Sequence, residues 1–152
     1  MPIRIIAVGR KHESWVLEGI ERYEKRLKAP FGCEWLLLPH SSRSGDAARD
    51  DESARILERI KPADFVVLLD ERGSLYDSPA FSKVIHAPLE RSQNVVFIIG
   101  GAYGVNRAAH VRADCVWSLS PLVFPHRMVR LLLVEQLYRA QEIAGGKPYH
   151  HE

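Results

Sequence analysis

A handful of residues in this chain have types and spacing that could handle a nucleotide or a proton. His126 follows Pro125 directly and opens the apolar run Met128–Val134. At a helix start the macrodipole opposes positive charge, so the imidazole is biased toward its neutral form. A neutral His can act as a base or hydrogen-bonding partner, or it can simply cap the helix. Tyr149, His150 and His151 stand together in the tail, an aromatic ring to stack on a base and imidazoles to exchange a proton. The two preceding glycines, Gly145 and Gly146, make that tail short and flexible, and termini stay disordered unless tied down. Arg139, beside Tyr138, is either an exposed side chain whose stem lies along apolar surface or, at a pocket rim, an anion contact. Asp70 ends the apolar run Phe65–Leu69. Its carboxylate could accept from ribose hydroxyls or cap the next turn, and Gly73 favours the turn.

Two backbone features join these side chains. Gly100-Gly101 follows the apolar run Val95–Ile99. Without Cβ atoms a ligand can come close to the main chain, and a side chain at Gly101 is expected to fill the space a ligand atom needs. A plain tight turn would use the same residues. Ala102 breaks the dinucleotide fingerprint, and no Gly-Lys-Ser/Thr follows to make a triphosphate loop. The second feature is Trp117-Ser-Leu-Ser-Pro-Leu-Val-Phe-Pro-His126, a nearly all-apolar connection with two prolines. Surface loops are usually polar because their backbone needs water. This one is expected to be buried, with its main-chain groups turned toward something other than solvent.

The elements that must hold these residues follow from periodicity. Ile3–Gly9 and Cys33–Pro39 read as strands. Phe65–Leu69 and Val95–Ile99 are unbroken apolar runs, the mark of parallel strands covered on both faces. Cys115–Leu119 reads as a fifth strand. Helices are expected over about 14–28, with Trp15, Ile20, Tyr23 and Leu27 inward, over about 50–60, and from a Ser78 cap with Pro79 in the first turn. A short one spans 105–112 and the longest 126–143. Alternating strands and helices predict one α/β domain over 1–152, a mostly parallel sheet sandwiched by helices. In such sheets ligands sit beyond the carboxyl ends of the strands. Met128, Val129, Leu131, Leu132, Leu133 and Val134 cover nearly the whole helix circumference, more than a single stripe requires. A second face must be covered by another element or another copy of the chain, and a homodimer is the favoured reading.

Composition bounds the class. The chain has 152 residues, is 46% hydrophobic and 26% charged, which fits one globular domain, and its net charge of +2 is weak evidence for nucleic acid. Residues 1–76 hold 13 basic and 13 acidic side chains, and residues 77–152 hold 8 and 6, so the small excess lies in the second half. Cys33 and Cys115 sit in apolar runs without metal-ligand spacing, and are expected as buried thiols of a reducing compartment. No export signal or membrane span is apparent, which points to the cytoplasm.

The combination Leu69-Asp70-x-x-Gly73, Phe97–Gly101 with Gly104, Leu119-Ser120 with Phe124-Pro125-His126, and Glu135-Gln-x-Tyr-Arg-Ala140 resembles, over essentially the whole chain, a known family. It is similar to the small single-domain SPOUT methyltransferases that methylate N3 of a pseudouridine in bacterial 23S rRNA, the RlmH type. The resemblance implies a carboxyl-terminal trefoil knot, S-adenosylmethionine as methyl donor held in that knot, no metal, and a homodimer acting on 23S rRNA of the large subunit or assembled ribosome. Carried over by position, Leu69, Gly101 and Ser120, Pro121, Leu122, Val123, Phe124 and Pro125 would contact the donor, with Asp70, Gly100 and Leu119 beside them. His126, Arg139, Tyr149 and His150 would face the RNA, partly across the dimer interface, with His150 and His126 foremost as base. Tyr103 and His151 depart from the pattern. A non-catalytic RNA-binding assembly factor and a methyltransferase of another RNA base are the alternatives.

Overall fold

The computed structural model describes residues 3–151. Five strands, β1 (Ile3–Val8), β2 (Cys33–Leu38), β3 (Phe65–Leu75), β4 (Val95–Ile99) and β5 (Cys115–Ser118), form one sheet in the order β2-β1-β4-β3-β5. Every pairing in it is parallel. Between the strands run α1 (Ser14–Glu24), α2 (Gly45–Leu57), α3 (Ser78–Glu90) and α4 (Arg107–Arg112), and α5 (His126–Ala144) closes the chain.

Alternation along the strands builds two cores. Ile3, Ile5 and Ala7 of β1 with Val95, Phe97 and Ile99 of β4 face α1, α3 and α5. Ile6, Val8, Val96 and Ile98 face α2 and α4. Both faces of β1 and β4 are thus covered, so the runs that read as unbroken apolar stretches are buried on either side. Each fully buried Ile or Phe contributes about 1.5–3 kcal/mol. The α3 crossover from β3 to β4 lies on one face and the α4 crossover from β4 to β5 on the other. The carboxyl ends of β3 and β4 therefore diverge at a topological switch point, the place where open α/β sheets bind ligands.

Several boundaries differ from the expectation. β3 continues to Leu75, but its pairing with β5 jumps, because Leu69 and Ser74 both stand opposite Trp117. Asp70–Gly73 is thereby pushed out of the ladder. A Cβ on Gly73 would lie 2.6 Å from the Val116 carbonyl oxygen, so only glycine lets the bulge close against β5. Asp77, not Ser78, caps α3, its carboxylate accepting from the Ala80 N–H. α2 begins at Gly45, and α1 ends at Glu24. Trp15 is 47% exposed, its Nε1–H donating to Glu13, and Val16 takes the inward place. Both thiols are free and half-buried, not fully enclosed, and burial pushes the Cys33 thiol up to about 12. In the apolar first turns of α5, Leu133 and Val134 are buried within the chain, whereas Met128, Val129, Leu131 and Leu132 are only half-buried. No helix among the described residues is long and apolar enough to cross a membrane.

Candidate functional site

A cavity of about 330 Å³ opens where β3, β4 and β5 end, at the size of small-molecule sites. Leu68, Leu69, Ile99 and Trp117 form its apolar floor. One wall is the displaced Asp70–Arg72, a second is Gly100–Val105, and a third is Leu119, Ser120, Leu122, Val123 and Phe124. His126 and Val129 complete the rim from the first turn of α5. The structure therefore brings together Leu69, Asp70, Gly100, Gly101, Leu119, Ser120, Leu122, Val123, Phe124 and His126. Pro121 and Pro125 belong to the same loop but do not line the cavity.

The glycine wall is shaped by α2 rather than by the cavity. The Ser53 hydroxyl accepts from the Asn106 N–H at 2.9 Å, and Asp50 accepts from the Asn106 amide at 3.1 Å. Gly104, at φ +73°, turns the chain so that its N–H donates to the Gly101 carbonyl at 3.0 Å. A Cβ on Gly101 would meet Glu52 Oε1 at 2.7 Å and Val8 Cγ1 at 3.2 Å. Gly101 is thus required by the element behind it, which corrects the expectation that its missing side chain is space reserved for a ligand. Only its main chain faces the cavity.

The loop from Leu119 to Pro125 corrects a second expectation. Leu122 is 69% exposed and Val123 74%, so this peptide is not enclosed by its own chain. Its shape comes from local bonds: the Ser118 hydroxyl donates to the Ser120 carbonyl at 2.9 Å, and the Leu122 N–H donates to the Ser120 hydroxyl at 3.0 Å. The apolar side chains instead form one wall of an open cavity facing the paired glycines.

Of the titratable groups at the rim, Asp70 is committed. Oδ1 accepts from the Arg72 N–H and guanidinium, and Oδ2 from Arg72 at 3.0 Å, with His110 at 3.3 Å. Burial would raise its pKa, but these bonds outweigh it and hold the carboxyl below its ordinary range. His126 is different. It remains exposed at the rim, and partial desolvation there, then the neighbouring Arg130 guanidinium, lower its pKa and favour the neutral form. The direction agrees with the helix-dipole argument, and the structure adds the two causes that the sequence did not show.

The remaining predicted residues form a separate cluster. Arg139 donates to His150 Nδ1 at 3.1 Å, pairs with Glu135 at 3.1 Å, and lies 4.8 Å from the Tyr149 ring centroid. The Tyr149 hydroxyl donates to Glu135 at 3.2 Å, and burial, then Tyr23 and Glu135, raise its pKa further, so it holds its proton. A guanidinium can only donate, so Nδ1 of His150 is an occupied acceptor. The tail is tied down, and Arg139 is half-buried rather than snorkelling. His150 and His151 line a second cavity with Tyr76, Ser78, Leu132 and Gln136, and Trp117, Leu119 and Phe124 separate it from the first.

Sequence reading missed three residues. Trp117 stacks on Phe81 at 4.0 Å with its Nε1–H buried and without a partner among the described residues. Glu52 is 3% exposed. Arg130 is 5% exposed and was signalled by being the one charge inside Met128–Val134.

A parallel α/β sheet with a cavity at its switch point, walled by a glycine loop and the apolar loop before the last helix, defines an open α/β class that binds a small molecule at the strand ends. Residues 1–150 match the family described as "Predicted SPOUT methyltransferase", and the chain belongs to that family. It is similar to the ribosomal RNA large subunit methyltransferase H of Desulfitobacterium hafniense, 40% identical over 99% of both chains. That of Thioalkalivibrio sulfidiphilus is 38% identical over the full length of both. Among solved structures, a probable methylase family protein from Haemophilus influenzae superposes with a TM-score of 0.58 at 15% identity, covering 99% of this chain and 71% of that one. The TrmH/SpoU tRNA modifying enzyme of A. aeolicus gives 0.54 at 14%, covering 99% and 82%. At these identities the structural likeness speaks for the fold alone.

Proposed function

We propose that the chain is a single-domain, cytoplasmic S-adenosylmethionine-dependent methyltransferase of large-subunit ribosomal RNA, acting on N3 of a pseudouridine in 23S rRNA. The observation that carries the rRNA methyltransferase reading is full-length similarity, at about 40% identity, to relatives named ribosomal RNA large subunit methyltransferase H, and the pseudouridine N3 target rests on the motif resemblance. The cavity supports it. Apolar floor residues and two backbone-lined walls suit a nucleoside, and the space is of the right order for one. Leu69, Gly100, Gly101 and the loop from Leu119 to Phe124 would hold the donor, with Pro121 and Pro125 stiffening that loop. A trefoil knot formed by this loop is part of the same proposal.

S-adenosylmethionine supplies, when bound, a methyl group already activated on a sulfonium. What the protein must add is alignment and removal of the imide proton, and alignment is the larger contribution. His126 is the base this geometry favours. It stands at the cavity rim and is biased toward its neutral form, whereas His150 has its Nδ1 occupied by Arg139 and Tyr149 retains its proton. Arg139, Tyr149 and His150 are assigned to the RNA, a second copy of the chain carrying its own tail toward the first copy's cavity. Exposed Leu122 and Val123 beside the cavity support such a homodimer.

Isothermal titration with S-adenosylmethionine should give one site per chain. Incubation of the protein and donor with ribosomes lacking the modification should then yield N3-methylpseudouridine by nucleoside mass spectrometry. Donor binding without any methylated nucleoside in rRNA would point to another RNA, and absence of donor binding would leave the non-catalytic RNA-binding reading.

A further inference from the structure

The turn between β1 and α1 is held by a device that the cavity does not explain. Arg130, buried on α5, reaches across to it: Nη2 donates to the carbonyls of Val8 at 2.9 Å and Gly9 at 3.2 Å, and Nη1 donates to the Lys11 carbonyl at 3.1 Å and to His12 Nδ1 at 3.2 Å. No carboxylate pairs with Arg130 among the described residues. A buried guanidinium satisfied only by main-chain carbonyls and an imidazole is costly to desolvate. Gly9, at φ +119°, is part of the device, because a Cβ there would lie 2.9 Å from Arg130 Nη2. The result is a rigid turn on which Arg10 and Lys11 are both exposed.

Seven of the 21 cations are drawn into ion pairs among the described residues, and these two are not. Arg4, Arg43, Arg49, Arg72, Arg112, Arg127 and Arg139 each have a carboxylate within 4 Å. Arg10 and Lys11 have none among the described residues. The turn also sits beside the cavity. β1 pairs with β4 through Ala7 and Ile99, Val8 packs behind the Gly101 wall, and Arg130, which holds the turn, lies one helical turn after His126 at the cavity rim.

From this we infer that Arg10 and Lys11, presented on a turn locked by Arg130, clamp backbone phosphates of the RNA strand that enters the cavity. The inference rests on the reading that the acceptor is RNA and deepens it. A net charge of only +2 then suffices, since two unpaired cations lie where the strand must pass. Phosphate contacts of this kind set position and register and carry no sequence information.

The test is a salt series of binding to a labelled 20-nucleotide single-stranded RNA by fluorescence anisotropy, and to bacterial ribosomes by co-sedimentation. R10E/K11E lies on exposed side chains and leaves the fold intact. Its slope of log affinity against log salt should be shallower by about 1.4, from roughly 0.7 per phosphate on single strands, and affinity near 0.1 M salt should fall by on the order of tenfold. R59E/R91E, which removes as much positive charge from the opposite edge of the sheet, should match wild type. R130M, checked for folding by circular dichroism, should weaken RNA binding although Arg10 and Lys11 remain. Equal slopes for R10E/K11E and wild type, equal losses in R10E/K11E and R59E/R91E, or failure of wild type to bind either RNA would each overturn the clamp. S-adenosylmethionine titration of R10E/K11E and R59E/R91E should be unchanged. RNA binding that behaves as expected in a protein that transfers no methyl group would sink the methyltransferase reading and leave the clamp standing.

Discussion

Gly101 and Glu52 form a pair whose cost is mutual. Glu52 Oε2 accepts the Ser41 N–H at 2.9 Å, which fixes the carboxylate, while Oε1 lies buried against Gly101 without a hydrogen-bond partner among the described residues. Gly101→Ala should therefore destabilise by about 1–3 kcal/mol through overpacking. In Gly101→Ala/Glu52→Ala the collision is gone, so the double variant should be more stable than the sum of the two single costs predicts. Denaturant unfolding of the four proteins measures this, and strict additivity would mean that the two residues do not touch. The histidines make a second prediction. His12 and His126 both have pKa values lowered by desolvation first and by Arg130 second. Their unfolded forms bind protons near pH 6.5 and their folded forms do so only at lower pH, so stability is flat above about 6.5 and falls as pH drops below it. His126→Gln should reduce that slope in thermal melts from pH 7.5 to 5.

Among the elements, β3 decides the shape of the site. Its pairing with β5 skips from Leu69 to Ser74, and three of the four displaced residues, Asp70–Arg72, become a cavity wall. The skip depends on Gly73, which sits against Val116 main chain that cannot rotate away as a side chain would. Gly73→Ala should cost about 3 kcal/mol, the upper end for overpacking. It should also loosen the Asp70–Arg72 wall, seen as faster amide exchange over residues 70–75. Unchanged exchange there would show the bulge to be held by something other than the missing Cβ.

The whole molecule brings its pieces to one edge of one sheet. Ligand binding at that edge should stabilise the fold as a unit, by about 2.7 kcal/mol when S-adenosylmethionine is present at 100 times its Kd. A melting temperature that does not move with donor concentration would contradict the site. Assembly belongs to this scale too. Leu122 and Val123 are both exposed apolar side chains. Leu122→Asp/Val123→Asp should shift sedimentation toward the single chain, because a charged side chain at the centre of an apolar contact is left unpaired when buried.

The sequence alone determined the parallel α/β architecture, since covered strands must be apolar on both sides and Val95–Ile99 and Phe65–Leu69 are. It also marked the segments that meet at the cavity, because a ligand edge in such a sheet lies where the strands end. Tertiary structure alone decided which way each side chain in those segments points. The Leu119–Pro125 loop was legible as unusual but not as exposed, because apolarity does not distinguish a core from the wall of an open cavity. Asp70 was legible as a candidate but not as already bound, since Arg72 folds back onto it only because the bulge turns the chain there, and its further partner His110 is 40 residues away. Glu52 was hidden, and Arg130 was marked only as a lone charge in an apolar run, because the main-chain groups they bind are distant in sequence. A charge in a helix reads as solvated until the loops that enclose it, Ser41 for one and Val8–His12 for the other, are placed in space.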